Sequence, residues 1–262
     1  RSPSRGLGDV YKRQGPSFGA APLPLPVSLP LRRAAAYLRP MCGRFVMTHP
    51  SDALARIFDA QPDNDLPEGP NYNVCPTVQV HAVTNADGTR RLQSLRWGFV
   101  PFWAKALNDG PLLINARAET IVEKPTFRDA AKKRRCVIPA SGFYEWTKDA
   151  QGNRLPWFIH PPDDAPLAFA GIWQVWDKGE APVTTCAIVT CAANDAMGRI
   201  HHRMPVILDR KDVARWLGET DEPAAPLMRP APEGALEMYR VDSAVNSNRA
   251  GGPRLIAPLD AA

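Results

Sequence analysis

Residues 136–146 read Cys-Val-Ile-Pro-Ala-Ser-Gly-Phe-Tyr-Glu-Trp, and this stretch decides the fold class. It holds two short runs of β-branched and aromatic residues on either side of the turn residue Ser141, a pattern typical of two successive strands. Similar runs, separated by turn residues, follow at 155–160, 167–173, 184–190 and 204–208. Many short strands with few helices between them predict an α+β domain built on a curved, mostly antiparallel sheet.

The remaining segments predict one hairpin and three helices around that sheet. Residues 78–84 and 91–97 alternate as strands on either side of a turn at 85–88. A first short helix is capped at Ser51 and Asp52 and places Leu54, Ile57 and Phe58 on one face. The other two helices are predicted at 126–135, ending in a basic cluster, and between the cap Asp209 and the stop Gly218.

The basic character of the chain comes from its first 40 residues. The whole chain has 32 Lys and Arg against 27 Asp and Glu, a net charge of +5. Residues 1–40 hold seven of these basic residues and one acid, which leaves 25 against 26 for residues 41–262. We expect 1–40 to be a disordered leader that need not be native, because its prolines interrupt any signal-peptide core or membrane span. We expect 41–262 to form a single domain, with any DNA contact made by a local patch.

The five cysteines argue against a disulfide framework and against a structural zinc site. They stand at 42, 75, 136, 186 and 191, an odd number without a Cys-x-x-Cys pair. Reduced thiols of this kind are typical of the cytoplasm, which we expect to be the compartment of this protein.

Met41-Cys42-Gly43-Arg44-Phe45 is the stretch with the most distinctive chemistry. If Met41 is removed, Cys42 carries a thiol and a free α-amine on adjacent carbons. Such a 1,2-aminothiol condenses with an aldehyde to an imine, which the thiolate then closes to a thiazolidine. The reference pKa values, about 8 for the amine and about 8.5 for the thiol, leave useful fractions of both nucleophiles at neutral pH. The alternative is that Cys42 is a small buried residue of a first strand.

Residues 112–120 (Leu-Leu-Ile-Asn-Ala-Arg-Ala-Glu-Thr) are one of four stretches with more polar or aromatic character than packing needs. An apolar strand leads into Asn115 and Arg117, whose side chains project to the same side. Asn115 is both a donor and an acceptor, and Arg117 can form paired hydrogen bonds with a phosphate. The alternative is an ordinary strand end with a turn-forming Asn.

Glu145 lies between aromatic residues in Gly-Phe-Tyr-Glu-Trp, residues 142–146. A carboxylate among apolar rings has its charged form destabilised, which raises its pKa toward that of a useful general acid or base. The alternative is a strand residue that faces water.

The stretch Ile-His-His-Arg-Met-Pro, residues 200–205, holds two of the five histidines. His201 or His202 could move protons at neutral pH, and Arg203 beside them favours a functional interpretation over a structural one. A metal site would need a third ligand, and none has a suitable spacing from this pair.

The fourth stretch is Trp-Gly-Phe-Val-Pro-Phe-Trp, residues 97–103. A bent aromatic loop suits the stacking of unpaired bases, so Trp97 and Trp103 are candidate DNA contacts. Most aromatic clusters are simply core, which is the alternative here.

Together these blocks, with Asn-Tyr-Asn-Val-Cys-Pro-Thr at 71–77, resemble the SOS response-associated peptidase (SRAP) family of abasic-site processing proteins. The resemblance runs from Met41 to about Pro258 and implies a barrel-like sheet with a groove for single-stranded DNA. It implies that Cys42 forms the thiazolidine with an abasic-site aldehyde. By matching position it gives Asn115, Glu145 and His201 catalytic roles, and Arg44, Arg117 and Arg203 phosphate contacts. His202 departs from the acidic residue expected there.

The resulting hypothesis is an abasic-site sensor that crosslinks to single-stranded DNA, with autoproteolytic exposure of Cys42 and a minor lyase activity. It requires no metal or organic cofactor and no membrane, and we expect the protein to act as a monomer. Two alternatives remain open. One is a cysteine peptidase or amidohydrolase that uses Cys42 and His201, and the other is a non-catalytic single-strand binding module.

Overall fold

The structure, a computed structural model, describes residues 43–63, 65–86 and 88–259. The strands are β1 Phe45–Met47, β2 Gln61–Pro62, β3 Asn71–Val74, β4 Gln79–Ala86, β5 Thr89–Trp97, β6 Asn115–Arg117, β7 Arg135–Ala140, β8 Gly142–Lys148, β9 Arg154–His160, β10 Leu167–Trp176, β11 Val183–Ala192, β12 Arg203–Pro205 and β13 Glu237–Arg240. The α-helices are α1 Ser51–Phe58, α2 Pro125–Lys133, α3 Asp195–Gly198 and α4 Val213–Leu217.

Five of the strands close into a barrel. Strands β11, β10, β7, β4 and β5 pair in that order, each antiparallel to the next. The barrel closes where β5 runs parallel to β11, with Arg96 opposite Thr185 and Trp97 opposite Cys186. Apolar side chains from all five strands fill the core, among them Ala82, Leu95, Ile138, Phe169 and Ile188. The predicted α+β class and the barrel-like, mostly antiparallel sheet are therefore confirmed.

A second, fully antiparallel sheet in the order β13-β9-β8-β1-β3 packs against this barrel. Phe45 on β1 contacts the rings of Trp97 and Phe169 edge to face, at centroid distances of 5.1 and 6.2 Å. Phe143 on β8 contacts Phe169 in the same way at 5.8 Å. Such pairs add about 1 kcal/mol each to the burial of the rings. They fix the beginning of β1 at the junction between the sheet and the barrel.

The five strand candidates between residues 136 and 190 are all present, but other elements differ from the sequence prediction. Of the last candidate, 204–208, only the first two residues belong to a strand, β12, and Ile207 makes one further bridge to Phe169. The Asp209 helix begins as a 3₁₀ turn and ends, as predicted, at a left-handed Gly218. The second helix ends at Lys133, because Arg135 already begins β7. No helix within the described ranges has the length and apolarity needed to cross a membrane.

The predicted cap of α1 is wrong, and the reason is a buried histidine. Pro50 is the N-cap residue and provides no side-chain bond to the helix. The Ser51 hydroxyl lies instead 2.8 Å from Nε2 of His81 on β4. His81 is 5% exposed, and burial lowers its pKa to about 4. The contact ties the start of α1 to the barrel wall, and burial keeps His81 neutral at pH 7.

We expect His81 to make the fold sensitive to acid. Its pKa is lower in the folded chain than its ordinary value of about 6.5, so only the unfolded chain takes up this proton between pH 6.5 and 4. The stabilisation is therefore complete above pH 6.5 and is lost as the pH falls to 4, by about 3 kcal/mol. Denaturant unfolding across this range measures it. His81→Gln should remove this part of the pH dependence, whereas His49→Gln should keep it; an unchanged slope in His81→Gln contradicts the assignment.

Candidate active site

The site is built around the start of β1. Tyr144 N–H donates to Arg44 O at 3.0 Å, in register with the pairing of Phe45 and Phe143. The same register, extended by one residue, places Gly43 opposite Glu145. Cys42, the proposed nucleophile, lies outside the described residues. Its chain neighbour Gly43 is therefore the structural link between the first stretch and the rest of the site.

Glu145 is buried on the barrel side of the second sheet. It is 4% exposed and stands opposite Trp157 of β9. Because side chains alternate along a strand, it shares a face with Phe143, which packs on the barrel. The alternative of a water-facing carboxylate is therefore wrong.

Strand β11 brings two other predicted stretches together. On one edge it pairs with β6, with Asn115 opposite Ile188 and Arg117 opposite Thr190. Thr190 is also opposite Pro205 of β12, so β6 and β12 flank the same end of β11. Asn115 is half-buried and Arg117 is exposed. The barrel thus places residues 115–117 beside 203–205, although about 85 residues separate them in sequence.

Arg203 is held rigidly in this arrangement. Its two terminal nitrogens donate to the two carboxylate oxygens of Glu119, each at 2.9 Å, and one also donates to Thr190 O at 2.6 Å. The hydrogen bonds from Arg203 hold the pKa of Glu119 below its usual value. Glu119 was not among the predicted site residues. Its position in the same block as Asn115 and Arg117 was the available signal, although it lies in a 3₁₀ turn after β6.

The two histidines lie against each other at the rim of the site. Their ring centroids are 4.4 Å apart, and Arg203 N–H donates to Nδ1 of His201 at 3.2 Å. Burial is the main cause that lowers the pKa of His201, so this ring is neutral at pH 7. No group of three His, Cys, Asp or Glu side chains in the described part of the chain is placed to hold a metal ion.

The charges that act on His202 show that these elements lie close together. Burial lowers its pKa, and the neighbouring His201, Arg203 and Arg117 lower it further, whereas Glu145 raises it. Groups from β6, β8 and β12 thus act on a single exposed ring. The predicted residues Asn115, Arg117, Glu145, His201 and Arg203 are therefore brought to one region.

Trp97 was predicted to contact DNA, and the structure corrects this. The indole is completely buried in the core, and its N–H donates to Ile114 O at 3.0 Å. It lies against Phe45 because it closes the barrel at β5, so it cannot stack on a base. Trp103, at the other end of the same loop, is 54% exposed.

Arg44 also differs from its predicted role. The side chain is 9% exposed and donates to Asn73 Oδ1 at 3.1 Å and to Asn246 O at 3.2 Å. It further donates to Val245 O and to Asn248 Oδ1. These bonds fasten the C-terminal segment to the start of β1. All of its terminal N–H groups face internal acceptors, so Arg44 supports the strand that leads to Cys42 instead of offering a free fork to phosphate.

Fold and site together define an α+β protein with a barrel core and a polar site at the leading end of its first strand. The profile of the SOS response associated peptidase (SRAP) family matches residues 41–248, and the chain belongs to this family.

The chain is similar over most of its length to several known proteins. The chain is 40% identical to the "Abasic site processing protein YoqW" of Bacillus subtilis over 223 residues, which cover 82% of this chain and 99% of that protein. It is 32% identical to the "Abasic site processing protein HMCES" of Pongo abelii, over 84% of this chain and 77% of that protein. A crystal structure of a protein from Bacteroides thetaiotaomicron is similar with a TM-score of 0.72 and 28% identity, over 83% of this chain and all of that one.

The two tryptophans give a matched test of the corrected assignment. Trp97→Ala should lower the free energy of unfolding by about 3–5 kcal/mol, because it leaves a large cavity in the core. Trp103→Ala should change it by no more than about 0.5 kcal/mol, because the side chain is on the surface. Denaturant unfolding of both variants measures the difference. Similar losses in the two would mean that the loop at 97–103 is placed differently.

Proposed function

We propose that this protein captures abasic sites in single-stranded DNA covalently, through a thiazolidine formed by Cys42. The observation that carries the proposal is that Glu145, His201 and Arg117 all act on the same ring, His202, while Glu145 also lies on β8 beside β1, the strand that starts three residues after Cys42. The names of the similar proteins support an abasic site as the substrate. We further propose that the protein acts as a monomer in the cytoplasm.

The chemistry needs only groups of this chain and the DNA. The α-amine of Cys42 attacks the aldehyde carbon of the ring-opened deoxyribose, and the resulting carbinolamine loses one water to give an imine. The Cys42 thiolate then adds to the imine carbon, forming the C–S bond, while the nitrogen takes up a proton. One water is released overall, and no atom is oxidised or reduced.

Three side chains assist these proton transfers in our proposal. Glu145, buried on β8 one residue after the Tyr144 that bonds to Arg44, takes the proton from the amine and returns it to the departing hydroxyl. His201 assists the opening of the sugar ring, with its orientation fixed by the bond from Arg203 N–H to Nδ1. Asn115 orients the sugar or the amine through its amide.

The cationic residues divide into two kinds. Arg117 is exposed and provides a phosphate contact. Arg203 and Arg44 are largely buried and bonded within the protein, so they position the site. Trp103 offers an exposed ring on which a neighbouring base stacks.

A free amine at Cys42 is essential to this mechanism. While residues 1–41 are attached, that nitrogen is an amide and cannot form an imine. Attack of the Cys42 thiol on the preceding carbonyl would break the peptide bond, transfer the acyl group to sulfur and free the amine; water then hydrolyses the thioester. β-Elimination from the imine, before ring closure, would give the minor lyase activity.

Protein that begins at Cys42 should form a heat-stable adduct with an abasic oligonucleotide, with the summed mass less one water. Cys42→Ala keeps the amine but lacks the thiol, so its imine should be trapped only by borohydride. Cys75→Ala is the matched control, because the Cys75 thiol is half-buried and donates to Asn73 O at 3.3 Å. Denaturing electrophoresis and intact mass spectrometry measure the adducts.

Two results would contradict the proposal. A stable adduct of Cys42→Ala without reduction would show that the thiol is not required. A stable adduct of the uncut 262-residue chain would show that the free amine is not required. Cleavage of unrelated peptides by the parent protein without any DNA adduct would favour the peptidase alternative.

Arg117→Ala should weaken the binding of all single-stranded sequences alike. Loss of one phosphate contact reduces the slope of log affinity against log salt by about 0.7. Arg56→Ala is the control, because Arg56 is exposed on α1 and forms an ion pair with Asp52 one helical turn away. Fluorescence anisotropy between low and physiological salt measures both slopes. An unchanged slope for Arg117→Ala would exclude it as a phosphate contact.

A further inference from the structure

A cavity of about 150 Å³ lies beneath the loop that follows β5. Its walls are formed by Thr77, by Arg96 at the end of β5, and by loop residues 98–101 and 107–112. Neither the catalytic chemistry nor the phosphate contact of Arg117 uses this cavity. It lies on the outer side of the barrel wall, since Trp97, the next residue after Arg96, points into the core.

Arg96 brings a buried cation to this cavity. Its side chain is 8% exposed, and it donates to Gly98 O at 3.0 Å and to Asn108 Oδ1 at 3.3 Å. Both acceptors are neutral, and no carboxylate of the described ranges lies within 4.0 Å of it. Burial lowers its pKa. A buried cation is normally paired with an anion, and the cavity beside Arg96 leaves room for a negatively charged ligand to provide one.

The backbone around the guanidinium is shaped to leave room for it. Gly98 has a φ of +140°, and a Cβ there would lie 2.9 Å from both Arg96 Nη1 and Leu112 Cδ1. Thr77, on the opposite wall, has a φ of +75°, which is rare for a β-branched residue, and its N–H donates to Trp97 O at 2.7 Å. Strained backbone of this kind persists where the surrounding structure enforces it, often at ligand sites.

The wall of the cavity is linked through the backbone to the candidate active site. Phe99 bridges to Leu113, which stands two residues before Asn115. The loop that covers the cavity also carries three large exposed apolar side chains, Phe102, Trp103 and Leu112. A cation beneath an exposed aromatic surface fits a nucleotide, with its phosphate in the cavity and its base on the aromatic rings.

We propose that the Arg96 cavity is a phosphate subsite for the DNA strand, occupied by a nucleotide beside the abasic site. This inference rests on the proposed function, because it concerns the same strand. Asp109 also lies in the wall, where its Oδ2 accepts a bond from Lys105 N–H at 3.3 Å. Its charge opposes an anion, so the subsite contributes moderate affinity. It extends the contact with the strand beyond Arg117.

Asn108 and Asp109 permit two isosteric changes of opposite sign in the same loop. Asn108→Asp places a carboxylate against Arg96 and should weaken binding of abasic single-stranded DNA about tenfold, with a salt slope smaller by about 0.7. Asp109→Asn removes a carboxylate and should strengthen binding severalfold. Gln151→Glu, in the exposed turn between β8 and β9, controls for net charge. Fluorescence anisotropy measures affinity, and thermal unfolding checks that each variant is folded.

Competition identifies the source of the phosphate. Inorganic phosphate and a mononucleotide should compete for the cavity only at concentrations far above that of the oligonucleotide. The assignment to the strand would be overturned if the free mononucleotide bound tightly and Asn108→Asp weakened that binding but left DNA binding unchanged. If all three variants bind DNA as tightly as the parent, or differ from it only in thermal stability, Arg96 only supports the loop.

Failure of this inference is separable from failure of the proposed function. Adduct formation is measured for the parent and for the control Gln151→Glu, and the two should be the same because Gln151 lies in neither the cavity nor the catalytic set. If the parent forms its adduct but the paired variants bind alike, only the subsite is excluded. If the parent forms no adduct, the thiazolidine is excluded, while the effect of Asn108→Asp on non-covalent binding still tests the subsite.

Discussion

The parallel contact between β5 and β11 is the constraint on which the rest of the structure depends. It closes the barrel, and its register sends Trp97 into the core and leaves Arg96 on the outer side. Beyond the end of β5, the same edge of β11 is free to accept β6, which places Asn115 and Arg117. This one strand pairing therefore determines which side chains of β5 and β6 enter the core and which lie near the candidate site.

The arginine side chains near the candidate site have different roles that depend on their surroundings. Arg203 is paired with a carboxylate, Arg44 is surrounded by neutral amide and carbonyl oxygens, and Arg117 remains exposed. Buried guanidinium groups must satisfy their donors within the protein, so they set geometry. An exposed one keeps its donors for a ligand. Arg96 is buried like Arg44 and also has neutral acceptors, but unlike Arg44 it lines a cavity that could hold an anion.

Local pattern was enough to find most strands and the stretches that form the site. Alternation and turn residues located the strands between 136 and 190, and residue chemistry singled out Asn115, Arg117, Glu145 and His201. It failed for Ser51, whose hydroxyl faces a histidine 30 positions away instead of capping its own helix. It failed for Trp97 as well, because an aromatic residue has the same local signature in a core as on a binding surface.

What the sequence alone determined is the inventory: an α+β fold class, a cysteine that directly follows a methionine, and a set of polar residues in short, recognisable blocks. Those features depend on near neighbours in the chain, which a sequence displays directly. Only the tertiary structure decided which arginines are buried, that Glu119 holds Arg203, and that a cavity adjoins Arg96. Each of these results from contacts between segments far apart in sequence, and burial is a property of the closed barrel that no single segment contains.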